Sequence, residues 1–204
     1  MKIIILCNED FSLYIKSLST SIDWITTTHI SEWRDFPDAD GYFNLNENAC
    51  NENYSHLNKP IFINAVSNTL KESNHPTNVV RMNGWNGFIQ RNLWEVAGNI
   101  SQQHIDILNA INKSYAITPD EPGFIAPRIL SMIINEAYFA KEQNVSTETE
   151  IDTAMKLGTN YPKGPFEWKE EIGITNIFKL LENLSKTDKR YQPSLLLTNE
   201  ASSL

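Results

Sequence analysis

The chain has 204 residues, of which 41% are hydrophobic and 21% charged, so it is long enough for one or two globular domains with a sizeable core. Its formal net charge of -8 argues against a nucleic-acid partner, which needs a basic surface, and leaves open a small phosphate-bearing ligand. No apolar run has the length of a membrane span or a signal-peptide core, and Cys7 and Cys50 are typical of reduced thiols, so we expect a cytoplasmic protein.

The first half of the chain alternates short apolar runs with polar segments. The run 3–6 is continuous and β-branched, as in a buried strand of a parallel sheet. Further strands are predicted at 24–28, 41–45, 61–66, 79–83, 93–97 and 115–117. A helix is predicted at 101–112 with Ser101 as N-cap, and the Asn- and Glu-rich segment 44–58 is predicted to be surface structure. This alternation favours a small α/β domain over residues 1–118.

The second half has helical periodicity. After Pro122-Gly123, a predicted helix at 124–143 is apolar on most faces, so neighbours or a partner chain must bury it. The pattern Thr147-x-x-Glu150 predicts a second helix, which Gly158 is expected to end in a left-handed cap. Two more helices are predicted before residue 185. We therefore expect a helical domain at 119–190, followed by a polar, frayed tail at 191–204.

Three motifs in this half carry a resemblance to a known family. They are Pro122-Gly123-Phe124, Asp152-Thr-Ala-Met-Lys-Leu-Gly158 and Tyr161-Pro-Lys-Gly-Pro-Phe166. In this order and spacing they resemble the C-terminal domain of the 3-hydroxyacyl-CoA dehydrogenases of fatty-acid β-oxidation. The resemblance implies an α/β plus all-α fold: a reduced Rossmann-like parallel sheet, then a helical domain like the C-terminal domain of 6-phosphogluconate dehydrogenase. It also implies a homodimer through the C-terminal helices.

The resemblance extends upstream to candidate site residues. Asn83 and Glu95, twelve positions apart, stand where the family has its catalytic His and the Glu that orients it. Ser67-Asn68-Thr69 is similar to the family's Ser-Asn-Thr, so we take Ser67 as a substrate-binding candidate, together with Asn86 in the segment that follows Asn83. Pro127 replaces the Asn with which the family contacts substrate.

The loop after the first strand departs from the family. Members have Gly-x-Gly-x-x-Gly there, which lets the backbone approach a pyrophosphate at a helix N-terminus. Here the strand is followed by Cys7-Asn-Glu-Asp-Phe11, and the first glycine is Gly41. Glu9 and Asp10 add negative charge where the pyrophosphate would sit. We therefore interpret the N-terminal domain as truncated and degenerate and expect no cofactor, with NAD the cofactor if the family activity is retained.

The replacement of His by Asn83 removes the expected general base, whose loss typically costs about 10²–10⁴-fold in rate. Glu95 can serve as a weak base only if burial raises its pKa, and a solvated or hydrogen-bonded carboxylate is the simpler expectation. Arg81 and Arg91 flank the site and are candidates to meet an anion. The histidines are scattered, are expected at the surface and form no metal-ligand spacing: His29, His56, His75 and His104.

Three functions remain open from the sequence. The first is a catalytically impaired family member, a pseudoenzyme, that keeps the helical domain and an acyl-CoA ligand. The second is an active NAD-dependent 3-hydroxyacyl-CoA dehydrogenase with an unusual site. The third is an assembly or regulatory module that pairs with a full-length dehydrogenase.

Overall fold

The computed structural model describes residues 1–203, except for the side chain of Asp10. The sequence prediction that concerns the charge of Asp10 therefore lies outside the described residues. The chain separates into two compact units, Met1–Phe124 and Ile125–Leu204. Each unit is described by itself.

The first unit contains a seven-stranded sheet. Its strands are β1 (Lys2–Leu6), β2 (Asp23–Thr27), β3 (Gly41–Asn44), β4 (Ile61–Asn64), β5 (Val79–Met82), β6 (Leu93–Gly98) and β7 (Ser114–Ile117). The order across the sheet is β2-β1-β3-β4-β5-β6-β7. Strands β1 to β5 are parallel, whereas β6 is antiparallel to β5, and β7 is parallel to β6. The predicted Rossmann-like α/β architecture is confirmed, with a sheet that is mainly but not wholly parallel.

Helices and short 3₁₀ turns cover both faces of this sheet. They are α1 (Glu9–Ser17), 3₁₀ helices at Ile30–Asp35 and Ala49–Asn51, α2 (Leu70–Ser73) and α3 (Gln102–Ala110). Because side chains alternate along a strand, Ile3 and Ile5 belong to one apolar layer and Ile4 and Leu6 to the other. Burial on both faces explains the continuous apolar sequence of β1.

The order of the strands creates a switch point at β1. The chain passes from β1 to β2 on one side and returns to β3 on the other. In open α/β sheets, the crevice beyond the carboxyl ends of the strands at such a point is where ligands bind. The carboxyl ends of β1 and β3 therefore mark the place at which the fold would hold a cofactor.

The second unit is helical, as predicted. It contains α4 (Ala126–Glu142), α5 (Glu148–Thr159), α6 (Pro165–Ile172), α7 (Ile174–Ser185), a 3₁₀ turn at Lys189–Tyr191 and α8 (Leu195–Ser202). Helix α4 packs against α5, α6, α7 and α8, which explains why it is apolar on most faces.

One buried carboxylate explains why the family motifs occur together. Asp152 in α5 accepts hydrogen bonds from the backbone N–H groups of Phe166, at 2.8 Å, and Glu167, at 3.2 Å, and so caps the N-terminus of α6. A Cβ atom on Gly164 would lie 2.3 Å from the Asp152 carboxyl carbon, so only glycine fits at that position. These motif residues specify the fold of the helical unit.

Three predictions about the secondary structure and burial of chain segments are wrong. Gly158 lies inside α5, and the left-handed cap is Asn160 with φ 56°, a conformation that Asn tolerates. The tail is ordered as α8, where Ser194 accepts from Leu197 N–H and Leu197 is fully buried, because the apolar run 195–197 outweighs the polar residues around it. Segment 44–58 is not simply surface structure, since Asn44, Ala49, Cys50, Tyr54 and Leu57 are buried.

None of the helices that the model describes combines the length and the apolar character needed to cross a membrane.

Candidate functional site

Three neighbouring parallel strands have a buried asparagine at their carboxyl ends: Asn44 in β3, Asn64 in β4 and Asn83 directly after β5. The amide of Asn64 links all three strand ends, since its Nδ2 donates to the Leu45 carbonyl at 3.3 Å and its Oδ1 accepts from Gly84 N–H at 3.1 Å. A Cβ on Gly84 would lie 2.7 Å from the Asn64 side chain, so glycine is required there. Hydrogen bonds within the chain therefore occupy part of this edge of the sheet.

Asn83 and Glu95 are brought together by the antiparallel pairing of β5 with β6. The Asn83 Nδ2 donates to Glu95 Oε2 at 3.0 Å, and the Asn83 backbone N–H donates to the Glu95 carbonyl at 3.0 Å. The Asn83 Oδ1 accepts from Trp85 N–H at 3.4 Å. Both side chains are buried, Asn83 at 3% and Glu95 at 8% exposure. Asn83 stands where a catalytic base was expected from the resemblance, and its amide cannot take up a proton.

The two substrate-binding candidates of the first unit lie at the same edge. Ser67 is half-buried just beyond the end of β4, next to Val66, whose carbonyl accepts from Gly123 N–H at 2.8 Å. Asn86 is exposed, and its Oδ1 accepts from Gly87 N–H at 3.1 Å and from Gln90 Nε2 at 2.9 Å. The Asn86 side chain thus stabilises its own turn.

Pro127 lies in the second unit. It is buried in the first turn of α4, where a proline does not remove a helical hydrogen bond. A proline side chain offers no donor or acceptor, so Pro127 cannot hydrogen-bond a substrate through its side chain.

The N-terminus of α1 does not fit a dinucleotide pyrophosphate. Asn8 is the N-cap, and its Oδ1 accepts from Phe11 N–H at 2.9 Å, one of the backbone donors that an anion at this helix end would use. The carboxylate of Glu9 follows in the first turn. The Asn8 side chain thus occupies the position of the pyrophosphate. The carboxylate of Glu9 adds negative charge where the pyrophosphate would need a positive or neutral surrounding.

The end of β2 also differs from a dinucleotide site. In such folds an Asp or Glu about 20 residues beyond the glycine loop binds the ribose hydroxyls. Here β2 ends at Thr27, followed by Thr28. The nearest acidic side chain, Glu32, accepts from Thr28 N–H and Oγ1, both at 2.9 Å. Glu32 therefore serves to cap the following 3₁₀ helix.

The arginines predicted to meet an anion serve other roles. Arg81 is fully buried, and its Nε lies 2.6 Å from Asp120 Oδ1 while its guanidinium stacks on the Phe124 ring. Desolvation lowers the pKa of Arg81, and Asp120 opposes that effect. Arg81 is therefore not exposed to meet an anion, contrary to the prediction, and it ties β5 to the segment that leads out of the unit. Arg91 is exposed, and its guanidinium lies over the Phe88 ring.

The histidines do not form a site. His104 is 1% exposed, contrary to the surface prediction, because its ring bonds to Ser101 at one nitrogen and to the Asn78 carbonyl at the other. Burial lowers the pKa of His104 and also that of His75. Among the residues that the structure describes, no group of His, Cys, Asp and Glu could hold a metal ion.

Lys113 is a buried cation that sequence reasoning missed. Its Nζ donates to the Tyr14 hydroxyl at 2.7 Å, the Ile89 carbonyl at 3.3 Å and the Arg91 carbonyl at 2.6 Å. It thereby joins α1 to the loop that follows Asn83. Burial lowers the pKa of Lys113 to about 8. Only its place at the end of the apolar helix 101–112 could have suggested burial.

Comparison with known proteins identifies the helical part of the chain. Residues 123–202 match the model of the 3-hydroxyacyl-CoA dehydrogenase C-terminal domain. By sequence, the helical unit is therefore a 3-hydroxyacyl-CoA dehydrogenase C-terminal domain, and this match covers less than half of the chain. It is 46% identical over 84 residues to 3-hydroxyadipyl-CoA dehydrogenase of Escherichia coli K12, covering 40% of this chain and 18% of that protein. It is 37% identical over 89 residues to a 3-hydroxybutyryl-CoA dehydrogenase of Bradyrhizobium diazoefficiens, covering 43% and 30%.

Two solved structures share the fold of the chain. A (S)-3-hydroxybutyryl-CoA dehydrogenase of Ralstonia eutropha aligns with TM-score 0.70 and 22% identity, covering 89% of this chain and 70% of that one. FadB2 of M. tuberculosis aligns with TM-score 0.80 and 13% identity, covering 99% and 93%. At these identities the likeness concerns the fold alone. In sequence, the matches to the first curated relatives span between 18% and 31% of those proteins.

Proposed function

We propose that this chain is a cytoplasmic 3-hydroxyacyl-CoA dehydrogenase family protein that does not catalyse the usual hydride transfer. The observation that carries the proposal is the hydrogen bond from the Asn83 amide to the Glu95 carboxylate. Oxidation of a 3-hydroxyl requires a group that accepts its proton, and an amide cannot do so at any ordinary pH. Glu95 is buried and already accepts this hydrogen bond, so it is poorly placed to serve as the base in its stead.

The first turn of α1 supports the same proposal. Members of the family use NAD, whose pyrophosphate needs a glycine loop and free N–H donors at a helix N-terminus. Asn8 uses the Phe11 N–H group, and no glycine precedes Gly41. The loss of the cofactor loop and the loss of the base are separate changes, and each would by itself reduce the reaction severely.

The proposal keeps acyl-CoA as the expected ligand, because the motifs of the helical domain are intact. In a thermal-unfolding assay, acetoacetyl-CoA should raise the melting temperature and NADH should not. The alternative, an active enzyme with an unusual site, requires that each ligand raise it. The two functions are therefore separated by the response to NADH.

A second candidate function is an assembly or regulatory module, either a homodimer or a partner of a full-length dehydrogenase. It is favoured by the apolar side chains at the start of α4, since Ile125 and Ile129 are each 56% exposed. Pairing of this surface would remove both from water. Ile129→Glu should shift the protein to a smaller species on a sizing column, whereas Leu157→Glu, at an 82% exposed apolar side chain of α5, should not. A strictly monomeric wild-type chain would remove the support for this candidate.

The decisive activity test is the oxidation of NADH with acetoacetyl-CoA by purified protein at micromolar concentration. A family enzyme with the catalytic His serves as the positive control. We expect a flat trace from this chain. A clear rate that is lost in Glu95→Gln would show that Glu95 acts as the base and would overturn the proposal.

A further inference from the structure

Two asparagines of the chain are followed by glycine, and the structure places the two pairs in different surroundings. Asn83 and Gly84 are buried at the end of β5, whereas Asn86 is exposed and Gly87 is half-buried in the turn at 86–90. An asparagine that precedes glycine is open to attack by the glycine nitrogen, because no Cβ on the glycine hinders the approach. The chain therefore presents the same reactive dipeptide once in the interior and once at the surface.

The side-chain amide of Gln90 bridges the two reacting groups of the exposed pair. Gly87 N–H donates to Gln90 Oε1 at 2.9 Å, and Gln90 Nε2 donates to Asn86 Oδ1 at 2.9 Å. The Gly87 nitrogen also lies 3.1 Å from Asn86 Oδ1. Gln90 thus holds the attacking nitrogen beside the carbonyl that it would attack. Its Nε2 points at the oxygen on which negative charge would develop.

The turn that carries these groups is fixed by contacts on both sides of Asn86. The Gly87 carbonyl accepts from Arg91 Nε at 3.2 Å, and the Gln90 carbonyl accepts from the Tyr14 hydroxyl at 3.2 Å. Gly87 has a φ of 82°, a conformation that glycine adopts without strain. The reacting groups are therefore held close together in the folded chain, which lowers the entropic cost of bringing them into contact.

The buried pair lacks this arrangement. Gly84 N–H donates to Asn64 Oδ1 and to the Met82 carbonyl, each at 3.1 Å. The Asn83 Nδ2 donates to Glu95 Oε2 at 3.0 Å. Asn83 is 3% exposed, so water and hydroxide reach its amide poorly. We therefore expect no reaction at Asn83 in the folded protein.

We propose that Asn86 and Gly87 form a site of spontaneous deamidation, in which Gln90 positions the reacting groups. Hydroxide or water takes the proton of Gly87 N–H, and the nitrogen bonds to Asn86 Cγ. The bond from Cγ to Nδ2 then breaks, and ammonia leaves with a proton from water. Water opens the resulting succinimide at either carbonyl, which gives aspartate or isoaspartate. The net reaction consumes one water and releases one ammonia, and it is independent of whether the chain is catalytically active.

The products differ from Asn86 in charge and, for isoaspartate, in backbone length. Each product adds one negative charge to a chain whose net charge is already -8. Isoaspartate also inserts a methylene group into the backbone ahead of Gly87. The Ile89 and Arg91 carbonyls, which accept from Lys113 Nζ, lie in the same loop. Deamidation would therefore change both the charge and the path of the loop between β5 and β6.

The test is incubation of the folded protein at neutral and mildly alkaline pH, followed by peptide mapping with fragment ions that separate Asn83 from Asn86. We expect position 86 to gain the mass by which OH exceeds NH₂, in two products of equal mass. The rate should rise with pH, because Gly87 nitrogen has to lose its proton. Asn83 should react only in urea, where both pairs are exposed. No mass gain at Asn86, or an equal rate at Asn83 in the folded protein, would overturn the proposal.

The variant Gln90→Ala tests the positioning role. It removes both bridging hydrogen bonds and should slow deamidation of the folded protein at least about threefold, while leaving the rate in urea unchanged. Gln103→Ala, at an exposed glutamine of α3, is the matched control and should leave both rates unchanged. Equal folded-state rates in Gln90→Ala and the wild type would contradict the proposal. Unchanged melting temperatures would show that both variants are folded.

Discussion

The side-chain amide of Asn83 donates a hydrogen bond of 3.0 Å to the carboxylate of Glu95, in the interior of the first unit. The two residues are also joined through their backbones, since Asn83 N–H donates to the Glu95 carbonyl. The amide donates to the carboxylate but cannot itself take up a proton. The amide and the carboxylate are therefore held together by one hydrogen bond between side chains and one between backbones.

The variant Asn83→Asp should place two carboxylates against each other in a buried site. We expect the free energy of unfolding at neutral pH to fall by roughly 1–3 kcal/mol, through repulsion and the loss of a hydrogen bond. Repulsion would raise the pKa of one of the two carboxyl groups in the folded state above its unfolded value. The folded state would then bind more protons than the unfolded state. The loss in free energy of unfolding should therefore become smaller as the pH falls towards about 4. Urea unfolding at several pH values measures this change.

The control for this variant is Asn86→Asp, the same chemical change on an exposed side chain at the same edge. It should change stability by less than about 0.5 kcal/mol at any pH. If the two variants behaved alike, the Asn83–Glu95 contact would not be the buried pair described above.

Removing the cap of α1 tests the account of the cofactor loop. Asn8→Ala should lower the free energy of unfolding by about 1 kcal/mol, because Phe11 N–H would lose its acceptor, whereas Asn8→Gly should cost only a few tenths of that amount. Asn109→Ala, at an exposed position within α3, should not destabilise the chain. An Asn8→Ala variant as stable as the wild type would show that Asn8 does not cap the helix in solution.

Lys113→Met should be destabilising by roughly 1–3 kcal/mol at neutral pH, because it leaves the Ile89 and Arg91 carbonyls without their donor. Lys179→Met, at an exposed lysine, is the control and should have little effect. Chemical denaturation of the three proteins measures the difference.

The contribution of Lys113 to folding stability should depend on pH with a definite sign. Burial lowers its pKa from the ordinary 10.5 to about 8, so between these values the unfolded chain carries a proton that the folded chain does not. Folding stability from this group should therefore rise with pH across that window, and Lys113→Met should lack the rise. Parallel stability–pH curves for wild type and Lys113→Met over this window would contradict the shift.

Two glycines of the helical motifs should respond in opposite ways to the same substitution. Gly158→Ala should stabilise the protein by roughly 0.5–1 kcal/mol, because Gly158 lies within α5 and no atom lies within 4 Å of the added Cβ. Gly164→Ala should be strongly destabilising, since its Cβ would collide with Asp152. Thermal unfolding of the pair measures this contrast. Equal effects would contradict the role of Asp152 as the cap of α6.

Much of the fold could be predicted from local sequence. The seven strands follow from short runs of largely apolar residues, and their observed ends differ from the predicted ones by at most two residues. The helical unit follows from its capping residues and motifs. The family resemblance pairs Asn83 with Glu95, whereas the sequence does not predict the antiparallel alignment of β5 with β6 that brings them together.

The remaining features depend on partners that are distant in the chain. Lys113 bonds to Tyr14, 99 residues away, and Arg81 bonds to Asp120, 39 residues away. The residues that surround each of them in the sequence therefore do not predict its burial. The burial of Asn44 likewise depends on the hydroxyl of Tyr54, which bonds to it within a segment of polar composition. Sequence periodicity reports on local structure and does not encode such pairings.

The measurement that tests the account most directly is a titration of the purified protein with NADH, followed by the fluorescence of the nicotinamide. We predict no saturable binding up to millimolar NADH, since Asn8 and Glu9 take the place of the pyrophosphate at α1. Saturable binding at micromolar NADH, weakened by substitutions at the carboxyl ends of β1 and β3, would contradict the account and restore the active dehydrogenase as the better interpretation.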